Sequence, residues 1–167
     1  FHKRFFADLE TRKSNRRQID KVAEIILRDV PGCALASDQL YREADIAIDF
    51  CEDVSALSKC DILRIVSIME QNGMTAKVSS IHVNGWIGEY DKLSMTGHLF
   101  QEVFGCNILL EKNKIVFIGD SPNDQAIFNF FPNSVGVANV KKHKSQLIYE
   151  PAYITELEAG SGFVELT

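Results

Sequence analysis

The chain has 167 residues, 46% of them hydrophobic and 25% charged, the balance of a globular protein of one ordinary domain or two small ones. Its formal net charge of −5 argues against a nucleic-acid binder, which carries a basic patch; the basic cluster Arg12, Lys13, Arg16 and Arg17 sits beside acids and reads as a solvated helix face. No apolar run approaches the ~20 residues that cross a bilayer, no signal peptide is recognisable, and four scattered cysteines without a CxxC pair form neither a zinc pattern nor a disulfide framework and fit free thiols in a reducing cytoplasm.

Taken in chain order, residues 8–28 carry Leu9, Ile19, Val22 and Ile26 at helical spacing, and Pro31-Gly32 stops the run. Two strands are predicted over 33–39 and 44–50. In the second, Ile46, Ile48 and Phe50 alternate with Asp45, Ala47 and Asp49. The polar linker 40–43 suits a hairpin. A second amphipathic helix is predicted over 57–71, with Ile62, Ile65, Val66 and Met69 as its stripe and Asn72-Gly73 as its stop. Strands at 74–78 and 80–86 follow; in the latter, Ile81 and Val83 oppose Ser80, His82, Asn84 and Trp86. The first half therefore reads α-β-β-α-β-β, helices over one face of an antiparallel sheet whose other face is polar. Near Gly88 the pattern changes, so the expected division is 1–88 and 89–167.

Residues 92–104 are helical in pattern and stop at Gly105. A continuous apolar strand is predicted at 114–119, a short helix at 124–130, a strand at 134–138, a short helix near 141–148 and a small strand at 152–155. This alternation suggests parallel strands with crossover helices. Because Ile115, Val116, Phe117 and Ile118 are apolar on both faces, their strand is expected in a sheet centre, paired on both edges.

In parallel α/β sheets ligands bind at the carboxyl ends of the strands. Asp120 stands at such an end and Asp124 opens the next helix, in IVFIGDSPND. Two close carboxylates repel unless a cation joins them, and hard oxygen ligands suit Mg²⁺ bridged to a phosphate. The same residues are also good β-turn chemistry, with Asp124 as a helix cap, and the spacing alone leaves both readings open. Asn139 is expected beside Asp120 at the same sheet edge. Lys92 starts a helix against its dipole, a misfit relieved if the ammonium faces an anion; phosphoryl transfer needs such a cation.

The segments YDKLSMTGHLFQEVFG and KIVFIGDSPNDQAIFNFFPNSVGVANV, with the tail PAYITELEAGSGFVEL, resemble the second half of haloacid dehalogenase superfamily phosphatases. The nearest pattern is the subfamily with a late-inserted α+β cap, which includes sucrose-phosphatase, mannosylphosphoglycerate-phosphatase and Cof-like proteins. The resemblance implies an α/β fold in which 89–167 forms the C-terminal part of a Rossmannoid parallel-sheet core and 1–88 an αββαββ cap. It implies that Lys92 neutralises phosphate, that Asp120 ligates Mg²⁺, and that Asp124 and Asn123 support metal and phosphate in the same loop. Lys92, Asp120 and Asp124 are thus the expected catalytic residues. The implied activity is Mg²⁺-dependent hydrolysis of a phosphomonoester of a small metabolite, such as a sugar phosphate, through an aspartyl-phosphate. The cap would read the leaving group, with Ser80, His82, Asn84 and Arg42 as expected contacts.

One part of the pattern is missing. The family's nucleophile lies in a D-x-D-x-T motif, and no D-x-D follows an apolar strand here: Asp45 and Asp49 are four apart, and Glu89-Tyr90-Asp91 follows no strand end. The expectation is therefore that a further segment before Phe1 supplies the nucleophile and pairs with the strand at 114–119, and that the 167 residues alone are inactive. A non-catalytic binding module and a phosphomutase of the same fold remain as alternatives.

Overall fold

The computed structural model describes residues 3–167. The chain divides into two compact units, one reaching to Glu89 and the other spanning Tyr90–Thr167.

The first unit opens with α1 (Leu9–Asp29), whose first turn is capped by Asp8 accepting the Thr11 N–H at 2.8 Å. Ile19, Val22, Ala23 and Ile26 are its buried residues, spaced as one helical face demands. β1 (Ala34–Leu35), β2 (Asp45–Asp49), β3 (Thr75–Val78) and β4 (His82–Trp86) form an antiparallel sheet in the order β1-β2-β4-β3. Between β2 and β3 runs α2 (Lys59–Gln71), capped by Ser58 and ended at Asn72-Gly73, where Gly73 takes φ +74°. Ile46, Ile48 and Val83 of the sheet pack with Ile19, Val22 and Ile26 of α1 and Ile65 and Met69 of α2 into one core.

The strand predicted over 33–39 is only two residues long. Beyond it the chain turns into a short 3₁₀ helix, Gln39–Tyr41. From that turn the Gln39 side chain accepts the Ala47 N–H at 2.9 Å and donates to the Asp45 carbonyl at 3.1 Å. An amide side chain thus completes the β2 edge that β1 is too short to cover, and backbone groups that would otherwise be orphaned are satisfied.

The second unit begins with α3 (Lys92–Phe104). Asp91 and Ser94 form its capping box and Gly105 ends it at φ +63°. The short α4 (Ile108–Glu111) follows, then β5 (Val116–Gly119), α5 (Gln125–Phe130), β6 (Asn133–Gly136), a 3₁₀ helix over Ala138–Gln146, β7 (Tyr153–Ile154) and α6 (Ala159–Val164). β5, β6 and β7 are parallel and lie in that order. Phe117 meets Phe128 edge-on and stacks with Phe131, centroids 5.8 and 6.3 Å away, which anchors α5 to the sheet. The fold is therefore mixed α/β, with a parallel sheet in one unit and an α+β layer in the other. Among the described residues β5 pairs only with β6. The expected central strand is thus an edge strand here, with Val116 59% exposed. Sequence pattern did not resolve α4 and α6, which are too short to show a period.

No helix among the described residues is long and apolar enough to cross a membrane.

Candidate functional site

β5 runs into Gly119, and a 3₁₀ turn, Pro122–Asp124, carries the chain onward into α5. Asp124 folds back over this turn. Its Oδ2 accepts the N–H of Asp120 at 3.0 Å, the N–H of Ser121 at 3.3 Å and the Ser121 hydroxyl at 3.4 Å. Its Oδ1 accepts from Lys92 Nζ at 2.7 Å. The carboxylate approaches the backbone so closely that a Cβ on Gly119 would stand 2.7 Å from Oδ2. Glycine is required there by space, not by φ. The first turn of α3 is thereby tied to the carboxyl end of β5. The buried Asp124 side chain, 3% exposed, is matched by a lysine that is 62% exposed. A carboxylate so withdrawn from water needs partners of this kind.

Asp120 is different. It is exposed, and its carboxylate takes part in no hydrogen bond or ion pair among the described residues. Among the described residues the half-buried Asn123 amide likewise has no hydrogen-bond partner. Of the expected metal-site residues, Asp120 and Asn123 offer open oxygen donors, while both Asp124 oxygens are already occupied. One or two carboxylates with waters and a phosphate oxygen is a normal Mg²⁺ environment, so the donor type fits. Among the described residues no three His, Cys, Asp or Glu side chains gather at one metal-sized point.

Past the end of β6, the Val137 N–H donates to the Gly119 carbonyl at 2.9 Å. The register pairs Gly119 with Gly136, the last residue of β6, so Asn139 lies beyond the strand, in the 3₁₀ helix Ala138–Gln146, and not at the strand end expected beside Asp120. The Asn139 side-chain Oδ1 is used elsewhere, accepting the Ala159 N–H at 2.7 Å at the start of α6.

In the first unit, register sets Asp49 opposite His82, Ala47 opposite Asn84 and Asp45 opposite Trp86, the polar face that alternation predicts. Parts of that face are covered. Burial opposes ionisation of Asp49, but the N–H groups of Glu52, Asp53 and Cys51 outweigh it and hold the carboxyl below its ordinary pKa. Asp49 is a loop anchor. His82 is buried, with Nε2 2.9 Å from Glu52 Oε2 but out of line for a hydrogen bond. Arg42, expected to reach an anion, is held between Asp38 at 2.8 Å and Asp45 at 2.7 Å. Desolvation disfavours its charge, yet those two bonds prevail and raise its pKa. Ser80 is exposed, in the turn before β4 rather than in the strand. Asn84 is half-buried and faces the same way as exposed Lys77, its partner across the β3–β4 pair. Asn84 and Lys77 are the open polar groups of this face, and Lys77 was not anticipated because 74–78 has no clear alternation.

No family model matches the chain, and no curated protein matches it. Solved structures do. A Thermoplasma acidophilum protein superposes with a TM-score of 0.63 at 18% identity, covering 98% of this chain and 62% of that one. The sucrose-phosphatase of Synechocystis sp. PCC6803, solved with sucrose and phosphate, gives 0.61 at 14% identity, covering 95% and 65%. A trehalose-6-phosphate phosphatase related protein gives 0.50 at 14% identity, covering 89% and 58%. The chain thus spans under two thirds of the length of each of these proteins, and at such identities the likeness is one of fold.

Proposed function

From a chain with the haloacid dehalogenase-like fold, we propose a Mg²⁺-dependent phosphatase that hydrolyses a phosphomonoester of a small, hydroxyl-rich metabolite such as a sugar phosphate. The observation that carries the reading is the pairing of a free carboxylate with a fixed cation at one strand end. Among the described residues Asp120 is exposed and unengaged, and Lys92, at the start of α3, is held 2.7 Å from Asp124 of the same loop.

In this reading Asp120 and Asn123 would hold the metal. When bound, Mg²⁺ supplies charge neutralisation to the phosphoryl oxygens. Lys92 neutralises further oxygens of the transferring group, the main task of a protein in phosphoryl transfer. Asp124 touches the reaction only through others: it orients Lys92 and holds the Asp120 and Ser121 amides. The nucleophilic aspartate comes from a segment outside residues 1–167 that pairs with the open edge of β5. Its carboxylate would attack phosphorus and break the P–O bond to the metabolite, which leaves as the free alcohol, and water would then cleave the aspartyl-phosphate to aspartate and inorganic phosphate. In the first unit, Asn84, Ser80 and His82 are donors and acceptors of the kind that would bind a hydroxyl-rich group. Arg42 supports the polar face of that unit through Asp45 rather than meeting substrate. The unpaired cysteines accord with a cytoplasmic setting.

A second reading shares the site. The sequence contains no D-x-D motif, so a module that binds a phosphorylated ligand without turnover would present the same loop. Assay of the intact protein against phosphorylated metabolites with Mg²⁺, beside Asp120→Ala, separates the two. The phosphatase reading expects phosphate release, reduced on the order of 10²-fold or more in the variant. Transfer of phosphate between positions of one sugar would mark a mutase instead. Equal turnover by Asp120→Ala at saturating Mg²⁺ would remove Asp120 from its role.

A further inference from the structure

The turn by which the chain leaves β6 forms one side of the acid loop, and the C-terminal segment fixes that turn. Val137 N–H donates to the carbonyl of Gly119, the residue immediately before Asp120. One residue later, the Ala138 N–H reaches Thr155 Oγ1 at 3.1 Å and the Leu157 carbonyl at 3.2 Å. The Thr155 hydroxyl donates in turn to the Leu157 carbonyl at 2.8 Å, and the Thr155 N–H bonds the Gly136 carbonyl at 3.0 Å. Asn139 holds the next turn of the segment through Ala159, whose φ is +50°. The 3₁₀ helix that begins at Ala138 also packs on the Pro122–Asp124 turn.

Thr155 is only 6% exposed. A buried hydroxyl is tolerated where both its donor and its acceptor are used, and here both are used to close one small ring of backbone groups. An apolar side chain of the same shape would fill the space and leave the ring open. We propose that Thr155 is a positioning residue for the Asp120 loop, acting through Ala138, Val137 and the Gly119 carbonyl. It touches neither metal nor substrate. Its hydroxyl sets the plane in which β6 leaves the sheet, and so the direction from which the chain enters Asp120.

This inference takes its functional meaning from the phosphatase reading, but its test does not depend on turnover. Thr155→Ser keeps the hydroxyl and Thr155→Ala removes it, both in the intact protein. Amide hydrogen exchange is read at Asp120 and Ser121, whose N–H groups bond Asp124 Oδ2. Thr155→Ala is expected to speed exchange there on the order of tenfold, while Thr155→Ser stays near wild type. Titration with Mg²⁺ alone, followed by the Asp120 amide shift, is expected to show weaker binding in the same order of variants. Thr155→Val, which preserves shape, repeats the comparison if the alanine cavity unfolds the unit. Changes confined to residues 137–139 and 155–159 overturn the proposal, because Thr155 would then brace only its own segment. A serine variant that behaves like the alanine overturns it too. Loss of phosphatase activity in the wild type would instead strike the reading above and leave this exchange result standing.

Discussion

Asp120 and Asp124 stand four residues apart in one loop, and their surroundings assign them different work. Asp124 is 3% exposed and binds four donors; Asp120 is exposed and binds none among the described residues. Asp124→Ala is therefore expected to destabilise the second unit by about 1–3 kcal/mol, the cost of leaving buried backbone donors unpaired. Asp120→Ala should stay within about 0.5 kcal/mol of wild type, as exposed substitutions do. Urea unfolding of the two variants distinguishes a loop-building acid from an available one. Asp49 allows a test of sign. Its folded-state pKa lies below the ordinary value of 3.8, so the stability it contributes is present above that value and is lost as pH falls through the folded pKa. Between about pH 5 and pH 2 the wild type should lose more stability than Asp49→Asn, which has no carboxylate to protonate. Parallel acid titrations followed by circular dichroism check this, and curves of equal slope would refute it.

Two glycines show how an element's neighbours decide the outcome of the same substitution. A Cβ at Gly85 in β4 would meet Met69 Sδ at 2.6 Å and Met74 Cε at 3.0 Å. Both are ends of flexible side chains that can turn aside. A Cβ at Gly119 would meet Asp124 Oδ2, Cβ and Cγ within 2.8 Å, and that side chain is held by its four donors. Gly119→Ala is thus expected to cost about 1–3 kcal/mol and to displace Asp124 from Lys92, whereas Gly85→Ala should fall at or below the lower end of that range. Thermal unfolding of both variants is the measurement. The contrast also explains what sequence could show at this scale. α1 and α2 were legible because each repeats its apolar residues over several turns and carries a cap or stop. The acid loop was legible because Gly119, Asp120 and Asp124 are contiguous, and Lys92 because its position at a helix start was odd. The two-residue β1 was not, since the Gln39 side chain, and not a longer strand, finishes the β2 edge. Nor were the covering of Asp49 and the holding of Arg42 legible, because alternation assigns a face and is silent on which loop folds over it. Thr155 carried no signal at all: its partners Ala138 and Leu157 are met only through the tertiary fold.

At the scale of the molecule the two units differ in how completely each buries its own apolar surface. The first closes a core of α1, α2 and sheet residues. In the second, no residue of α3 is fully buried, and Leu99, Val103 and Phe104 are exposed along it. β5 offers one unpaired edge among the described residues and an exposed Val116. Apolar strand edges of this kind invite pairing with another chain, and a helix with no fully buried residue gains less from packing than α1 or α2. Residues 3–89 produced alone should therefore unfold in one cooperative transition, while residues 90–167 alone should associate or bind a hydrophobic dye. The proposed nucleophile segment makes a sharper demand. If it pairs with β5, the β5 N–H groups that point away from β6 should exchange quickly in the 167-residue chain. In a protein that carries the segment they should be protected on the order of 10²-fold more strongly. Amides that bond within the β5–β6 ladder serve as the internal control, since either state protects them. Equal exchange of the outward amides in both proteins would mean that nothing docks on this edge. The nucleophile would then have to reach Asp120 from elsewhere, or turnover would not be the function of this site.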